Sequence, residues 1–346
     1  MSTYLIGEIG QNHNGIKGVA QILSDVLAAE IHDSQFNRMY KGWDAAKLTL
    51  RDMNYELAAD QMNRPYSGRN SFGATYGEHR EFLELSIEEH IEIYDHIKSN
   101  NLDYVVTLCA PSLIEPLISR RKPDFLKVAS RDLTNGPLLE QLAATELPMI
   151  ISTGMSDKGD LDEALEIITR FHENISILHC VSQYPTEYQN VNLRTISYLK
   201  NNYPNYKIGY SDHTIGISIP LAAASLGAEI IEKHVTVSQS LRGTDQAGSL
   251  GINGIQRLGR DIRILDDSMG TEDFFLVEGV KSAKEKLERS ICTKAKLSKG
   301  TIIKEDDLVL LSPGNGIKWI DRHKVIGKKL KNSLDVKVTI MLSDVE

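Results

Sequence analysis

Residues 207–236 constrain this chain more than any other stretch. They contain KIGYSDHTIG, then IPLAAASLGAE, then IIEKHVT. Lys207–Tyr210 and Glu229–Val235 read as short buried strands. The alanine-rich run Ile217–Leu226 suits a crossover helix, with Gly227 as its C-terminal cap. Strand, helix and strand in this order make a parallel pair. Each strand then delivers a histidine at its C-terminal end: His213 after Ser-Asp and His234 after Glu-Lys. Ligands bind at that edge of a parallel sheet. Two imidazoles on neighbouring strand ends can share one divalent metal. The plainer reading is two hydrogen-bonded or surface histidines.

The same rhythm runs through most of the chain. Apolar β-like runs fall at Tyr4–Ile9, Asp44–Leu50, Asp103–Cys109, Asp124–Ala129, Pro148–Thr153 and Ile175–Val181, ahead of the two already named. Helix patterns separate most of them. Ser86–Ser99 opens with a capping box, Ser86 and Glu89, and sets Ile87, Ile91, Tyr94 and Ile97 on one face. Ile255–Leu265 keeps Ile255, Leu258, Ile262 and Leu265 in step. Eight strands alternating with helices predict an α/β fold, a (β/α)8 barrel, with a doubly wound open sheet as the runner-up. Two stretches interrupt it: His32–Gly42, read as a surface insertion, and Met53–Phe82, read as a long irregular loop of the kind that is often functional.

Past Met269 the pattern stops. The predicted organisation is a barrel over residues 1–269, a mostly polar linker over 270–286 and a small β-rich domain over 287–346. A chain of 346 residues with 41% hydrophobic residues can bury such a core. Its net charge of −8 and dispersed Lys and Arg argue against a nucleic-acid surface. Cys109, Cys180 and Cys292 are odd in number with no CxxC pair, so neither disulfides nor structural zinc are implied. The N-terminus runs into a strand without a basic leader, and no apolar run is long enough for a bilayer. The expected location is cytoplasmic, with no membrane partner.

The predicted strand ends carry polar residues. They are Glu8, Lys47, Lys127 with Ser130, Ser152, Ser182 with Tyr184, Ser211 with His213, and His234. Lysines and serines converging on one mouth suit a phosphate or carboxylate, and two histidines with Glu8 suit a metal and an acid/base group. Taken singly, each lysine is as well read as an edge or packing residue. Lys127 could instead form a Schiff base, as in class I aldolases. His179 and Cys109 read as packing residues.

These motifs resemble the N-acetylneuraminate (sialic acid) synthase family along nearly the whole chain. The likeness lies in IGEIGQNHNG at 6–15, AAKL at 45–48, FLKVASRD at 125–132, IISTGM at 150–155 and LHCVSQYPT at 178–186. It continues in NLRTI at 192–196, IGYSDHTIGI at 208–217, EKHVT at 232–236 and RGTDQAGSL at 242–250. KAKLSKGTIIKEDDL, PGNGI and VIGKKL resemble the family's C-terminal antifreeze-like (SAF) domain. The insertion RPYSGRNSFGATYGEHR is most similar to the animal-type branch, which uses a 6-phosphorylated mannosamine and makes a 9-phosphate product.

The resemblance implies a TIM barrel plus SAF domain in a domain-swapped homodimer. It implies a transferase of sialic (nonulosonic) acid biosynthesis that condenses phosphoenolpyruvate with an open-chain hexose or hexosamine and needs Mn2+ or Mg2+. By the same resemblance His213 and His234 are metal ligands. Lys47, Lys127, Ser130, Ser152, Ser182, Tyr184 and Ser211 hold phosphoenolpyruvate. Glu8, Asp132 and Asp245 face the sugar or the reacting water. Arg64, Arg69 and Arg80 in the insertion are candidate ligands for a sugar phosphate. The departures cluster on the sugar side. Thr49 stands where the family has glutamine, Arg131-Asp132 where it has Gly-Glu, Cys109-Ala110-Pro111 for an STP-type turn, and Ser312 where bacterial members have arginine. The alternatives are a sister phosphoenolpyruvate-dependent keto-deoxy sugar acid synthase and a non-catalytic sugar-binding protein.

Overall fold

The computed structural model describes residues 2–346. Its core is a closed barrel of eight parallel strands. They are β1 (Tyr4–Gly10), β2 (Ala45–Leu50), β3 (Asp103–Leu108), β4 (Phe125–Val128), β5 (Met149–Ser152), β6 (Ile175–Cys180), β7 (Lys207–Asp212) and β8 (Ile230–His234). Each pairs with the next, and β8 closes on β1 through Tyr4↔Ile230 to Glu8↔His234. The open doubly wound sheet is excluded by this closure.

Strand residues alternate between the helical shell and the barrel interior. The outward set, such as Leu5, Ala46, Leu48, Val106, Leu126, Ile151 and Ile177, packs with the helices in one large core. The inward set begins with an apolar plug of Ile6, Ala45, Val105, Ile150, Leu178 and Ile230, flanked by Tyr4 and Phe125. Gly209 completes this layer on β7. A Cβ there would stand 2.4 Å from Leu178 Cδ2 and 2.5 Å from the Ile230 carbonyl oxygen, so only glycine lets Leu178 fill the plug.

The shell follows the sequence pattern where periodicity is strong. Helix Ile87–Ser99 carries the expected capping box, with Ser86 accepting from Glu89 N–H; such a cap contributes about 1 kcal/mol. Helix Ser218–Ser225 ends before Gly227, whose φ of +87° turns the chain back towards β8. Helix Ile252–Ser268 anchors the barrel floor through Arg263, which bonds the Thr3 and Gly42 carbonyls and Asp44 Oδ2 at 2.6, 2.9 and 2.7 Å.

The interruptions are more regular than the sequence implies. Residues 31–40 form a hairpin, Ile31–Asp33 with Arg38–Tyr40. Within 53–82 lie three short helices, Met53–Glu56, Ala59–Met62 and Tyr76–Phe82. All are too short to leave a hydrophobic period.

The chain divides into two compact units, Met1–Gly270 and Thr271–Glu346. The second is built on the antiparallel pair Ser290–Thr293 and Leu308–Leu311 around Ile291, Ile303, Leu308, Val325, Leu330 and Ile340. Part of the expected linker belongs to it: residues Lys281–Leu287 are helical, and the Glu285 carbonyl accepts from Gly314 N–H at 2.7 Å. The linker's Phe274 to Val277 are apolar and exposed. Among the described residues no helix is long and apolar enough to cross a membrane.

Candidate active site at the barrel mouth

One step of the two-residue period above the plug, every strand turns polar. The eight inward side chains are Glu8, Lys47, Thr107, Lys127, Ser152, Cys180, Ser211 and Glu232, and all line one cavity of about 260 Å³. All are buried. Lys47 pairs with Glu8 and stands 3.8 Å from Glu232. Lys127 stands 3.9 Å from Glu232 and donates to Ser152 Oγ at 2.6 Å. Ser211 donates to Glu232 at 2.9 Å.

The two acids are driven apart. Burial pushes the Glu8 carboxyl up, and Lys47 only partly opposes it. Burial would raise Glu232 too, but the charges of Lys127 and Lys47 outweigh it and hold that carboxyl low. Burial lowers Lys127 against the pull of Glu232. Lys47 feels the same burial, but Glu232 and Glu8 outweigh it and raise it. Two acids with divergent proton affinities beside two lysines can serve as an acid/base pair and can hold an anion.

A second tier stands on the loops. Ser130, Ser182, Tyr184, His213, His234, Asp245 and Arg80 line the same cavity. Gly154 N–H donates to Ser130 Oγ at 3.0 Å. A Cβ on Gly154 would lie 2.5 Å from Ser182 Oγ and 2.8 Å from Ser130 Oγ, so glycine is needed to bring these hydroxyls together. The Tyr184 ring lies on His213, with centroids 4.1 Å apart.

His213 and His234 face each other with ring centroids 5.4 Å apart. His213 Nδ1 lies 3.0 Å from the Val181 carbonyl, which can only accept, so Nδ1 carries a proton and Nε2 is the nitrogen left to face a ligand. His234 Nδ1 is buried without a partner. Among the described residues no group of three or more His, Cys, Asp and Glu is set to hold a metal. Two oriented imidazoles, one with an unsatisfied nitrogen, nevertheless fit a borderline divalent ion that completes its shell from substrate or water.

Three expected residues lie elsewhere. Asp132 turns aside to pair with Arg131 at 3.2 Å and does not line the cavity. Arg131 does, held at 2.8 Å by Glu56 of the short helix after β2. Arg64 and Arg69 are exposed, and Arg64 borders a separate groove with Tyr66 and Tyr76. The insertion folds as its own aromatic stack, Tyr66, His79, Phe72 and Phe82, which points those two arginines outward. Sequence reasoning missed Glu232, Thr107, Cys180, Arg51 and Arg131. Glu232 and Cys180 were legible by parity, being two residues before His234 and Ser182. Arg51 and Arg131 owe their place to Glu56 and Glu84, which no local pattern announces.

A family model described as the NeuB family matches residues 38–274. The chain belongs to the NeuB family. A SAF domain model matches residues 288–346. This NeuB-family chain is 32% identical to human N-acetylneuraminate-9-phosphate synthase over 98% of its length and 91% of that protein. It is 31% identical to N,N'-diacetyllegionaminic acid synthase of Legionella pneumophila, covering 100% of this chain and 95% of that one. The crystal structure of N-acetylneuraminic acid synthetase from Leptospira borgpetersenii, in complex with citrate, superposes with a TM-score of 0.68 at 27% identity, over 82% of this chain and 90% of the other.

Proposed function

We propose that the chain condenses phosphoenolpyruvate with an open-chain hexose or hexosamine aldehyde, giving a nine-carbon 2-keto-3-deoxy acid and inorganic phosphate. The observation that carries this is the buried ring. It sets two lysines against two acids of opposite proton affinity, directly below two histidines. Buried carboxyls shifted in opposite directions beside two lysines in a cleft are what acid/base chemistry uses.

Lys47 and Lys127, with the hydroxyls of Ser130, Ser152, Ser182 and Ser211, offset the phosphate and carboxylate charges of phosphoenolpyruvate. They act strongly because their side chains are buried among low-dielectric barrel walls. Glu8 holds a proton more readily than an ordinary glutamate, so near neutral pH it can take one from the water that adds at C2. C3 attacks the aldehyde carbon, and the aldehyde oxygen becomes a hydroxyl with the proton taken from the water. The C2 adduct collapses to the ketone as its C–O bond to phosphate breaks and its hydroxyl proton leaves with the phosphate. A divalent ion such as Mn2+, held by His213 and His234, would supply electrophilic activation of the aldehyde. Asp245 and Tyr184 border the space for the sugar chain.

The acceptor wall carries Arg51, Arg80 and Arg131, and buried Arg80 Nη2 has no partner. This favours an acceptor with an anionic tail, a 6-phosphorylated sugar, over the free one. The working form is a homodimer in which the SAF domain closes the partner's mouth, in the cytoplasm. Phosphate release from phosphoenolpyruvate, measured across N-acetylmannosamine, mannose and their 6-phosphates, tests the reading. Release with at least one of them, dependent on both Lys47 and Lys127, is expected. No release with any acceptor removes it.

A further inference from the structure

The mouth residues of β7 and β8 are separated by two side chains that point the other way. Ser211 and His213, and Glu232 and His234, face the cavity. Between them Asp212 and Lys233 face the shell and are paired across the ladder. Their ion pair is 2.6 Å long with no exposed side-chain surface on either partner. Neither lines the main cavity, and Asp212 borders only a smaller pocket beside it, with Tyr184, His213, His234 and Asp245.

Burying two charges costs several kcal/mol per ion and is repaid only by good geometry and full hydrogen bonding. A volume-matched apolar pair would hold the strands as well. Here the bonding is unusually complete. Asp212 Oδ1 accepts from Tyr210 OH at 2.9 Å and from Thr214 N–H at 3.1 Å, and Oδ2 accepts from Thr214 Oγ1 at 3.1 Å. Lys233 also donates to the Thr214 carbonyl. The network therefore pins both chain neighbours of His213 and the neighbour of His234. Backbone bonds from Leu250 N–H to the His234 carbonyl and from Val235 N–H to the Glu8 carbonyl fix the other side.

We propose that Asp212 and Lys233 are positioning residues that set the separation and tilt of the two imidazoles. The ionic form is retained because directional bonds lock one register where an apolar contact would tolerate several. This rests on the reading of His213 and His234 as a pair that shares one divalent ion.

The test uses the full chain with Asp212→Leu and Lys233→Met combined, which removes both charges without stranding either. Mn2+ affinity is read by electron paramagnetic resonance, and phosphoenolpyruvate affinity by calorimetry in chelator-treated buffer. The double variant is expected to bind Mn2+ about tenfold or more weakly, as supporting residues around metal ligands do, with phosphoenolpyruvate affinity within twofold of wild type. Unchanged Mn2+ affinity overturns the proposal. So does parallel loss of both affinities, which would mark a merely structural pair. Should the double variant not fold, Tyr210→Phe decides: it removes one bond to Asp212 and should weaken Mn2+ alone by about threefold, and an unchanged affinity again overturns the proposal. Wild type and His213→Ala, measured beside it, separate this result from the metal reading itself. If wild type binds no Mn2+, or His213→Ala binds it equally well, the ligand assignment falls, and the positioning role falls with it.

Discussion

Lys127 decides between two chemistries. Its ammonium donates to Ser152 Oγ and the Val128 carbonyl and faces Glu232 at 3.9 Å. All three partners are acceptors and suit a charged amine, whereas the burial that lowers Lys127 is what imine chemistry would use. Borohydride treatment with either substrate should leave no mass adduct on the protein; an adduct at Lys127 would move the enzyme to imine chemistry. His213→Ala and His234→Ala should each lose metal-stimulated turnover while circular dichroism stays native. Full activity of either variant after chelation and Mn2+ resupply would remove that residue as a ligand. Elsewhere, His13 in the turn after β1 and His90 in helix Ile87–Ser99 are buried, and burial lowers them to about 4 and about 3. A histidine depressed on folding stabilises fully above its unfolded pKa, and that stability drains as pH falls towards the folded value. Between pH 6.5 and about 4 each should cost roughly 1.4 kcal/mol per pH unit. Thermal melts across that range should show the slope, and His90→Leu should flatten it. A wild-type melting temperature independent of pH there would refute the account.

The helices and loops after β2 and β4 build the arginine-bearing wall of the cavity. Arg131 takes the place expected for Asp132 because Glu56 reaches it from the helix Met53–Glu56. Arg51 is held between Glu56 and Glu84 at 3.6 and 3.7 Å. Of the insertion's arginines only Arg80 reaches the cavity. Arg80→Ala should therefore lower kcat/KM on a 6-phosphorylated acceptor by one to two orders of magnitude, since a charge-assisted bond contributes about 1.5–3 kcal/mol. Arg64→Ala and Arg69→Ala should change it less than about twofold, as exposed charges do. Equal kcat/KM of the wild type on free and phosphorylated sugars would remove the anionic tail from the substrate.

The whole molecule is two units, each with its own core. A chain ending at Gly270 keeps the complete barrel core and should fold. It should bind phosphoenolpyruvate and lose most condensation, because the mouth stays open to water. Full condensation by this truncated chain would refute a role for the SAF domain, and a monomeric full-length chain in sedimentation would refute the swap.

The eight strands, the strong helices and the polar strand ends were legible in the sequence. Alternation and the 3.6-residue period are local consequences of backbone geometry, so apolar residues must follow them wherever an element has one buried face. Their positions at predicted strand ends also pointed Glu8, Lys47, Lys127, Ser152, Ser211 and His234 to the mouth, where they line the cavity. Closure of the barrel, the pairing of Glu232 with two lysines, and the exchange of Asp132 for Arg131 depend on contacts between residues far apart in the chain. So does the outward turn of Arg64 and Arg69. A side chain's direction in a short helix or loop is set by whichever distant partner satisfies its charge, and only the folded barrel brings those partners within reach.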